Sequence, residues 1–498
     1  MSDIFVHELP IKYDKQSIDE ANVRFDSGGM LYNAILNEGL KRCKLMKESA
    51  QWKKAARMDR SKERNKLFQE LRKKYKFSDN DFQKFAIQTK NNCFIKDHLD
   101  THTVQKIATR CFNAVEGYLL NKRGKPRFKK IGSFSSLEGK SNKAGIRFKD
   151  NIIQWKNLKL IPFFSHDEVE VHALQSKIKF CRIIRRKVKD SYRLFLQLVL
   201  EGKPFAKKSF PTGVVGLDIG PSTIAAVGEK EAFLKPFCEE LEENVQKTKI
   251  LKRKLDRSRR AVNPDNYENG SVKKGKLIWK YSESYKKIKE ELFQMGNTLK
   301  QQRKRAHGAL SNKVLSLGSH IKCEKLSYKG LQKLYGKSIG MRAPSLFLKI
   351  LCRKAENAGG IVEEFSTKST ALSQVCHECE KKKKKKLSER WHNCTCGISV
   401  QRDLYSAFLA SHVKDNKLDI REAKEAFPGV YPLLEQAMSR LNETAIGKQR
   451  FASFGLSRSQ SGSLAKDRSG LDEARDVVRL KPESFRESNS TAIRTPCL

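Results

Sequence analysis

The segment Cys376–Asp403 reads CHECEKKKKKKLSERWHNCTCGISVQRD: four cysteines flank a block of six lysines, and the segment ends on an Arg-Asp pair within seven residues of the last cysteine. Two close cysteine pairs separated by a short excursion are what a tetrahedral Zn²⁺ site takes, each pair forming one knuckle and four thiolates closing the coordination sphere. Cys376 and Cys379 have the usual C-x-x-C spacing. Cys394 and Cys396 are one residue short of it, so this pair must bend to share a metal, and His392 is an alternative ligand. The bland alternative is a loose hairpin of reduced, metal-free cysteines. A catalytic zinc is not expected, because four protein ligands leave no open position for water. A closed site would hold together a hairpin with no core of its own, and its exit leads straight into the residues around Asp403. The lysines at 381–386 would lie at the tip of that hairpin, either as a solvated charge run or in transient contact with a nucleic-acid backbone.

The rest of the chain is large and basic. Its 498 residues allow two to four domains with real cores. Lys and Arg total 101 against 56 Asp and Glu, and the resulting charge of +45 is spread along the sequence. Such a charge seeks polyanions, and a chain of phosphates is the natural partner because each neutralised phosphate releases counterions. A basic membrane-surface protein is the rival reading. Against it, there is no amphipathic anchor, no lipidation signal and no apolar run near the ~18 residues of a spanning helix. The start, MSDIFVHELPIKYDKQ, lacks a charged segment followed by an apolar stretch, so no secretory signal is expected and the protein is expected inside the cell. Eight of the 12 cysteines stand alone, at Cys43, Cys93, Cys111, Cys181, Cys238, Cys323, Cys352 and Cys497, and read as small buried hydrophobes of a reducing compartment.

Periodicity divides the chain. From about Gly28 to Asn121 the pattern is helical; Val104, Ile107, Ala108, Cys111, Val115, Tyr118 and Leu119 form one stripe of a helix entered through Thr103. Between Gly124 and Leu200 the period becomes that of strands, with a hairpin turning at Lys189-Asp190-Ser191. The run GVVGLDIGPSTIAAVG after Pro211 predicts one strand, a turn, and a second strand near Thr223. Residues 239–310 carry long helical signals interrupted by NPDNYENGSVKKG, which predicts a helix pair. Short strands return at SHIKCEKL and GGIVEEFS, with the helix PSLFLKILCRKAENAG between them. Past Lys414 the signal fades, and the last 48 residues, rich in Ser and Arg, are expected to be disordered.

Three acids sit where a metal site would want them. Asp218 ends the strand GVVGLD, Glu324 ends IKCE, and Asp403 opens DLYSAFLASHV, whose apolar residues have helical spacing. Phosphodiester cleavage needs such groups, since two Mg²⁺ ions on hard oxygen ligands can activate a water and stabilise the leaving oxygen. Taken singly each acid reads as ordinary: a turn residue, a solvated glutamate, a helix cap.

The order strand-Asp, strand-Glu, cysteine cluster, Arg-Asp-helix resembles the RuvC-like nuclease domain of the TnpB family, transposon-encoded RNA-guided DNA nucleases related to compact type V CRISPR effectors. GKPRFKK at 124–130 resembles that family's G-x-PRF-basic element, and SGGMLYNAILNEGL resembles its early helix with a Tyr-Asn pair. PSLFLKILCRKAENAGG resembles the helix after the glutamate strand. The resemblance covers about residues 20–412 and is most specific over 366–408. It implies that Asp218, Glu324 and Asp403 are the catalytic acids. The family motif is usually Asp-Arg-Asp-x-Asn-Ala-Ala; this chain has Gln401-Arg402-Asp403-Leu404-Tyr405-Ser406-Ala407, with Gln401 for the first acid and Tyr405 for the asparagine.

The implied fold is multidomain: an RNase H-like α/β RuvC nuclease domain with a zinc-binding hairpin insert, a β-barrel wedge domain and a helical recognition lobe. Its expected divisions are a first wedge strand in 1–25, the helical lobe in 26–121 and the wedge barrel in 122–210. The nuclease domain spans 211–365 with a helical insert at 239–310, the zinc hairpin 366–402, the last nuclease helix 403–414 and the tail 415–498. The implied activity is Mg²⁺-dependent cleavage of DNA matched by a guide RNA beside a short flanking motif, by a cytoplasmic, prokaryotic and preferably monomeric enzyme. Zn²⁺ would be structural. Guide RNA and target DNA would be the partners, with Arg127, Phe128, Lys129 and Lys130 as RNA contacts. The alternatives are a guided DNA-binding repressor that does not cut, and an RNase H-like transposase.

Overall fold

The computed structural model describes residues 4–188, 191–205, 209–386, 388–444 and 454, in two compact units, Met1–Lys207 and Lys208–Leu498. Among the described residues no helix is long and apolar enough to cross a membrane.

The first unit opens with β1 (Ile4–Pro10), followed by α1 (Lys15–Glu48), α2 (Ala50–Arg57), α3 (Lys62–Lys74), α4 (Asp79–Asn91), α5 (Ile95–His98) and α6 (Thr101–Leu119). Then come β2 (Ser136–Glu138), β3 (Arg147–Lys149), β4 (Ile152–Trp155), β5 (Leu158–Leu160), α7 (Glu168–Gln175), β6 (Ile178–Val188) and β7 (Ser191–Glu201). The helical region begins earlier than its sequence signal near Gly28. Asp14 accepts the Ser17 N–H as the cap of α1, and Ile18, Ala21 and Phe25 extend the buried stripe backwards through residues first assigned to the strand segment. Likewise α6 is capped by Asp100, whose carboxylate takes both the N–H and the hydroxyl of Thr103. The strands of 122–210 join β1 in two antiparallel sheets, β1-β7-β6-β2 and β3-β4-β5. The β6–β7 hairpin pairs up to Val188↔Ser191, and its expected turn residues Lys189 and Asp190 lie outside the described residues.

The second unit holds β8 (Val214–Ile219), β9 (Thr223–Val227), β10 (Ala232–Pro236), α8 (Glu242–Val262), β11 (Tyr267–Glu268), β12 (Ser271–Val272) and α9 (Glu283–Leu315). It continues with β13 (His320–Glu324), α10 (Tyr328–Arg342), α11 (Pro344–Asn357), β14 (Ile361–Phe365), α12 (Thr367–Thr370), β15 (Trp391–Asn393) and β16 (Ser399–Gln401). The last elements are α13 (Arg402–Ser411), β17 (Val413–Lys414), β18 (Lys417–Leu418) and α14 (Ile420–Thr444). The central sheet has the order β10-β9-β8-β13-β14; β8, β9 and β10 are antiparallel neighbours, whereas β13 runs parallel to both β8 and β14.

Strand alternation sorts this sheet into two faces. Val215, Leu217, Ile219, Ile224, Ala226, Ile321 and Cys323 pack with α9 and α11 on one face. The opposite face carries Ala225 and Val227 against α13 and α14. By parity that second face also holds Gly216, Asp218, Lys322 and Glu324, and Lys322 bears this out by donating from Nζ to the Val413 carbonyl at 2.7 Å.

Two elements depart from the sequence expectation. α10 had no clear signal, its apolar residues being sparse and its backbone kinked at Tyr335. α14 lies inside the segment assigned to the tail; its buried Ala423, Leu434, Ala437, Met438 and Leu441 recur at helical spacing, but Pro428 and Pro432 interrupt the pattern. Apart from Phe454, the residues beyond Thr444 lie outside the described ones, as does Cys497. Of the other solitary cysteines, Cys43, Cys111, Cys181, Cys238 and Cys323 are buried, while Cys93 and Cys352 are partly so.

Candidate functional site

The three acids come from two strand ends and one helix start. In the parallel β8–β13 ladder the last recorded pair is Leu217↔Cys323, so Asp218 and Glu324 are the next residues out, side by side on the α13 face at strand spacing. Asp403 stands in the first turn of α13 and its Oδ2 accepts a long hydrogen bond from Thr223 Oγ1, at 3.5 Å, across the start of β9. The guanidinium of Arg402 lies 3.4 Å from Asp403 Oδ1. Arg402 is itself fixed through its own N–H to the Arg390 carbonyl and through Nη1 to the Glu389 carbonyl.

Gly216 sets how near the helix comes. A Cβ built there would lie 1.8 Å from the Ala407 carbonyl oxygen and 2.7 Å from the Ser411 nitrogen, so only glycine lets α13 rest on β8 beside Asp218. Gln401, standing where the family pattern has an acid, caps the helix: its Oε1 accepts the Leu404 N–H at 2.8 Å.

The cluster is electrostatically costly as it stands. Burial first, then the charges of Asp403 and Glu324, hold the Asp218 carboxyl well above the usual carboxylate range, with Arg402 pulling the other way. Burial pushes Glu324 up to about 7. A buried carboxyl raised by burial and by two neighbouring acids stands in a donor set short of positive charge, which divalent cations on hard oxygen ligands can supply. The three carboxylates do not close around a single point within 4.8 Å.

The four cysteines do close. The sulfurs of Cys376, Cys379, Cys394 and Cys396 all lie within 4.8 Å of one another, with Cys376 and Cys396 at 3.5 Å and Cys379 and Cys394 at 3.3 Å. A tetrahedral zinc with Zn–S bonds of about 2.3 Å spaces its sulfurs at roughly 3.8 Å, so the set fits that ion. The short C-x-C pair bends through Gly397, whose φ of +98° is open to glycine, with Gly397 N–H donating to Cys394 O and Cys394 N–H to Ile398 O. His392 is not part of the group. Its ring packs, tilted, 4.4 Å from Tyr405 and its Nδ1 faces Lys385 Nζ, so the structure corrects its reading as an alternative ligand.

The basic element at 124–130 belongs to the first unit. Arg127, Phe128, Lys129 and Lys130 are all exposed, Phe128 to 50%. Asn33 clasps this loop from α1, donating Nδ2–H to Lys129 O at 2.8 Å and accepting Lys129 N–H on Oδ1 at 2.7 Å, while the Lys129 ammonium sits over the Tyr32 ring. The Tyr-Asn pair and the PRF element thus meet in space.

Comparison with known proteins gives one local match and weak global ones. Residues 345–409 match the family model described as Cas12f1-like, TNB domain, a stretch that runs from α11 through the cysteine knuckles into α13. No curated protein matches the chain. Among solved structures, a Cas12f1–sgRNA–target DNA complex is 12% identical, covering 82% of this chain and 99% of that one, with a TM-score of 0.43. A CRISPR–Cas12f ternary complex covers 80% and 82% at 12% identity and TM-score 0.28, and a Cas12i–crRNA–dsDNA complex covers 87% and 71% at 12% and 0.24. The matched segment is similar to a Cas12f1-like domain; the match does not reach Asp218 or Glu324.

Sequence reasoning did not single out Thr223, Gly216, or the contacts of Gln401 and Tyr405. Gly216 was visible as a glycine two residues before Asp218 in an otherwise apolar strand, and the two others as departures from the family pattern.

Proposed function

We propose that the chain is an RNA-guided DNA endonuclease of the TnpB-related type, cleaving with Mg²⁺ at Asp218, Glu324 and Asp403. The observation that carries this reading is the arrival of all three carboxylates at one end of one sheet face, from segments far apart in sequence. The strand order, with three antiparallel strands followed by two parallel ones, supports an RNase H-like core. Asp218 and Asp403 would share the ions, and Glu324 would complete the set. Bound there, the ions would activate water and stabilise the leaving oxygen of the scissile phosphate. The chain's own groups do the rest: Thr223 and Arg402 orient Asp403, and Gly216 sets the height of α13. Zn²⁺ on Cys376, Cys379, Cys394 and Cys396 would be structural, and Arg127, Phe128, Lys129 and Lys130 would grip guide RNA through backbone and stacking.

The test is cleavage. Protein purified with its RNA should linearise a plasmid matched to that RNA in Mg²⁺, and Asp218→Ala should not. Equal inactivity of both would leave a guided binder, and joined products in place of free ends would indicate strand transfer. Sequencing the copurified RNA distinguishes a transposon-encoded guide from one out of a CRISPR array.

A further inference from the structure

Asp403 and Tyr405 stand two positions apart on α13, about 200° around its axis, so they point to opposite sides of the helix. Asp403 meets Thr223 on the sheet. Tyr405, fully buried, meets the first cysteine knuckle. Its hydroxyl accepts the backbone N–H of His377 at 2.9 Å and shares a second hydrogen bond with His377 Nδ1 at 2.7 Å. His377 lies between Cys376 and Cys379, is itself fully buried, and has its other side against the Phe427 ring at 4.3 Å. A buried phenol is costly unless its hydroxyl is bonded, and this one meets the backbone and ring of His377 and the Cys376 side chain, all on the segment that carries two of the four sulfurs.

Two other contacts fix α13 differently. Gln401 fixes where it starts, and the Gly216–Ala407 contact fixes its height above β8. Its roll is held by side chains: Leu404 and Phe408 pack into the core shared with α14, and Asp403 bonds Thr223. On the side of the cysteine knuckle the polar tie is the Tyr405 hydroxyl.

We infer that Tyr405 is a positioning residue, whose hydroxyl ties the Cys376–Cys379 knuckle to α13 and thereby sets the aim of Asp403 toward the acid cluster. The knuckle then does more than close a hairpin: through one phenol it adds a polar tie to the packing that holds the helix on which the third carboxylate stands. This rests on the nuclease reading only in that the acids are taken to bind divalent ions together. It also accounts for a tyrosine where the family pattern has an asparagine.

Tyr405→Phe keeps the ring against His392, Phe408 and Phe427 and removes only the hydroxyl's bonds to His377 and Cys376. The probe is Mn²⁺, titrated by electron paramagnetic resonance into the full chain stripped of nucleic acid, with Asp403→Asn as reference for the acid site. Tyr405→Phe is expected to weaken Mn²⁺ binding about tenfold, as loss of an outer partner of a metal ligand commonly does, and to release zinc faster to a chromogenic chelator. His377→Ala, which keeps the backbone N–H, should fall between wild type and Tyr405→Phe. The Mg²⁺ concentration for half-maximal cleavage should rise by the same factor, with RNA and target binding unchanged. If Tyr405→Phe binds Mn²⁺ within twofold of wild type while Asp403→Asn does not, Tyr405 only fills space and the inference is wrong. If Asp403→Asn binds like wild type, the acids hold no metal; the nuclease reading fails and takes this inference with it.

Discussion

The backbone of Gly216 touches the backbone of Ala407, so strand β8 and helix α13 meet with no side chain between them. Everything about the candidate site depends on that approach, because Asp218 lies two residues further along the strand and Asp403 four residues earlier on the helix. Gly216→Ala places a methyl 1.8 Å from a carbonyl oxygen, and neither partner is a flexible side chain that can move aside. The expected cost is about 3 kcal/mol or more. Denaturant unfolding checks it, with Gly296→Ala as control: that site, inside α9, has nothing within 4 Å of the added Cβ and should gain up to about 1 kcal/mol.

The cysteine site predicts a clean division between ligands and neighbours. Cys379→Ser should lose the bound zinc and lower the melting temperature, since metal binding free energy is here folding free energy. His392→Ala should keep zinc, because the four sulfurs form the set without it. Metal content per chain by elemental analysis reads both.

Glu324 gives a pH dependence whose sign follows from its direction of shift. Its carboxyl has an ordinary value of 4.5 and is pushed up to about 7 by burial, so between those values the folded protein holds a proton that the unfolded chain releases. Metal-free protein is therefore most stabilised by this group below pH 4.5, and the contribution fades as pH rises to about 7. Glu324→Gln should flatten that part of the stability curve by up to roughly 3 kcal/mol. Divalent cations should reverse the trend, since they bind the ionised form and their affinity should climb with pH until about 7. Thermal melts with and without Mn²⁺ across this range check both arms.

In the first unit, the Asn33 clasp separates grip from presentation. Arg127→Ala should weaken RNA binding and lower the salt slope of log K by about 1. Asn33→Ala should weaken binding several-fold and leave that slope unchanged, because it removes no charge and only frees the loop. Filter binding at several salt concentrations distinguishes them.

The carboxylates and cysteines were legible in the sequence because they sit in short, strongly patterned runs: GVVGLD and IKCE are strands by composition, and Cys376–Asp403 is its own signature. What escaped was what only three dimensions supply. Asn33 and Lys129 are bonded across two motifs that give no sequence sign of touching. Tyr405 read as a departure from a pattern; its partner is a backbone N–H, which every residue has. α14 was hidden by Pro428 and Pro432, local signals of interruption that burial of Leu434, Ala437 and Met438 overrides. Thr223 lies in a strand predicted correctly, but its hydroxyl matters only once α13 is placed beside it.

The helix pair α8 and α9 leaves the sheet after β10 and returns at β13, and its far turn around β11 and β12 includes Gly270 and Gly275, where an added Cβ would meet open space. A chain severed there would leave Asp218 on one fragment and Glu324 and Asp403 on the other, each with one arm of the pair. Two such pieces, made separately, would recognise each other through those arms and through the β8–β13 ladder. The proposed acid site is thereby divided between two pieces and restored only where the β8–β13 ladder re-forms.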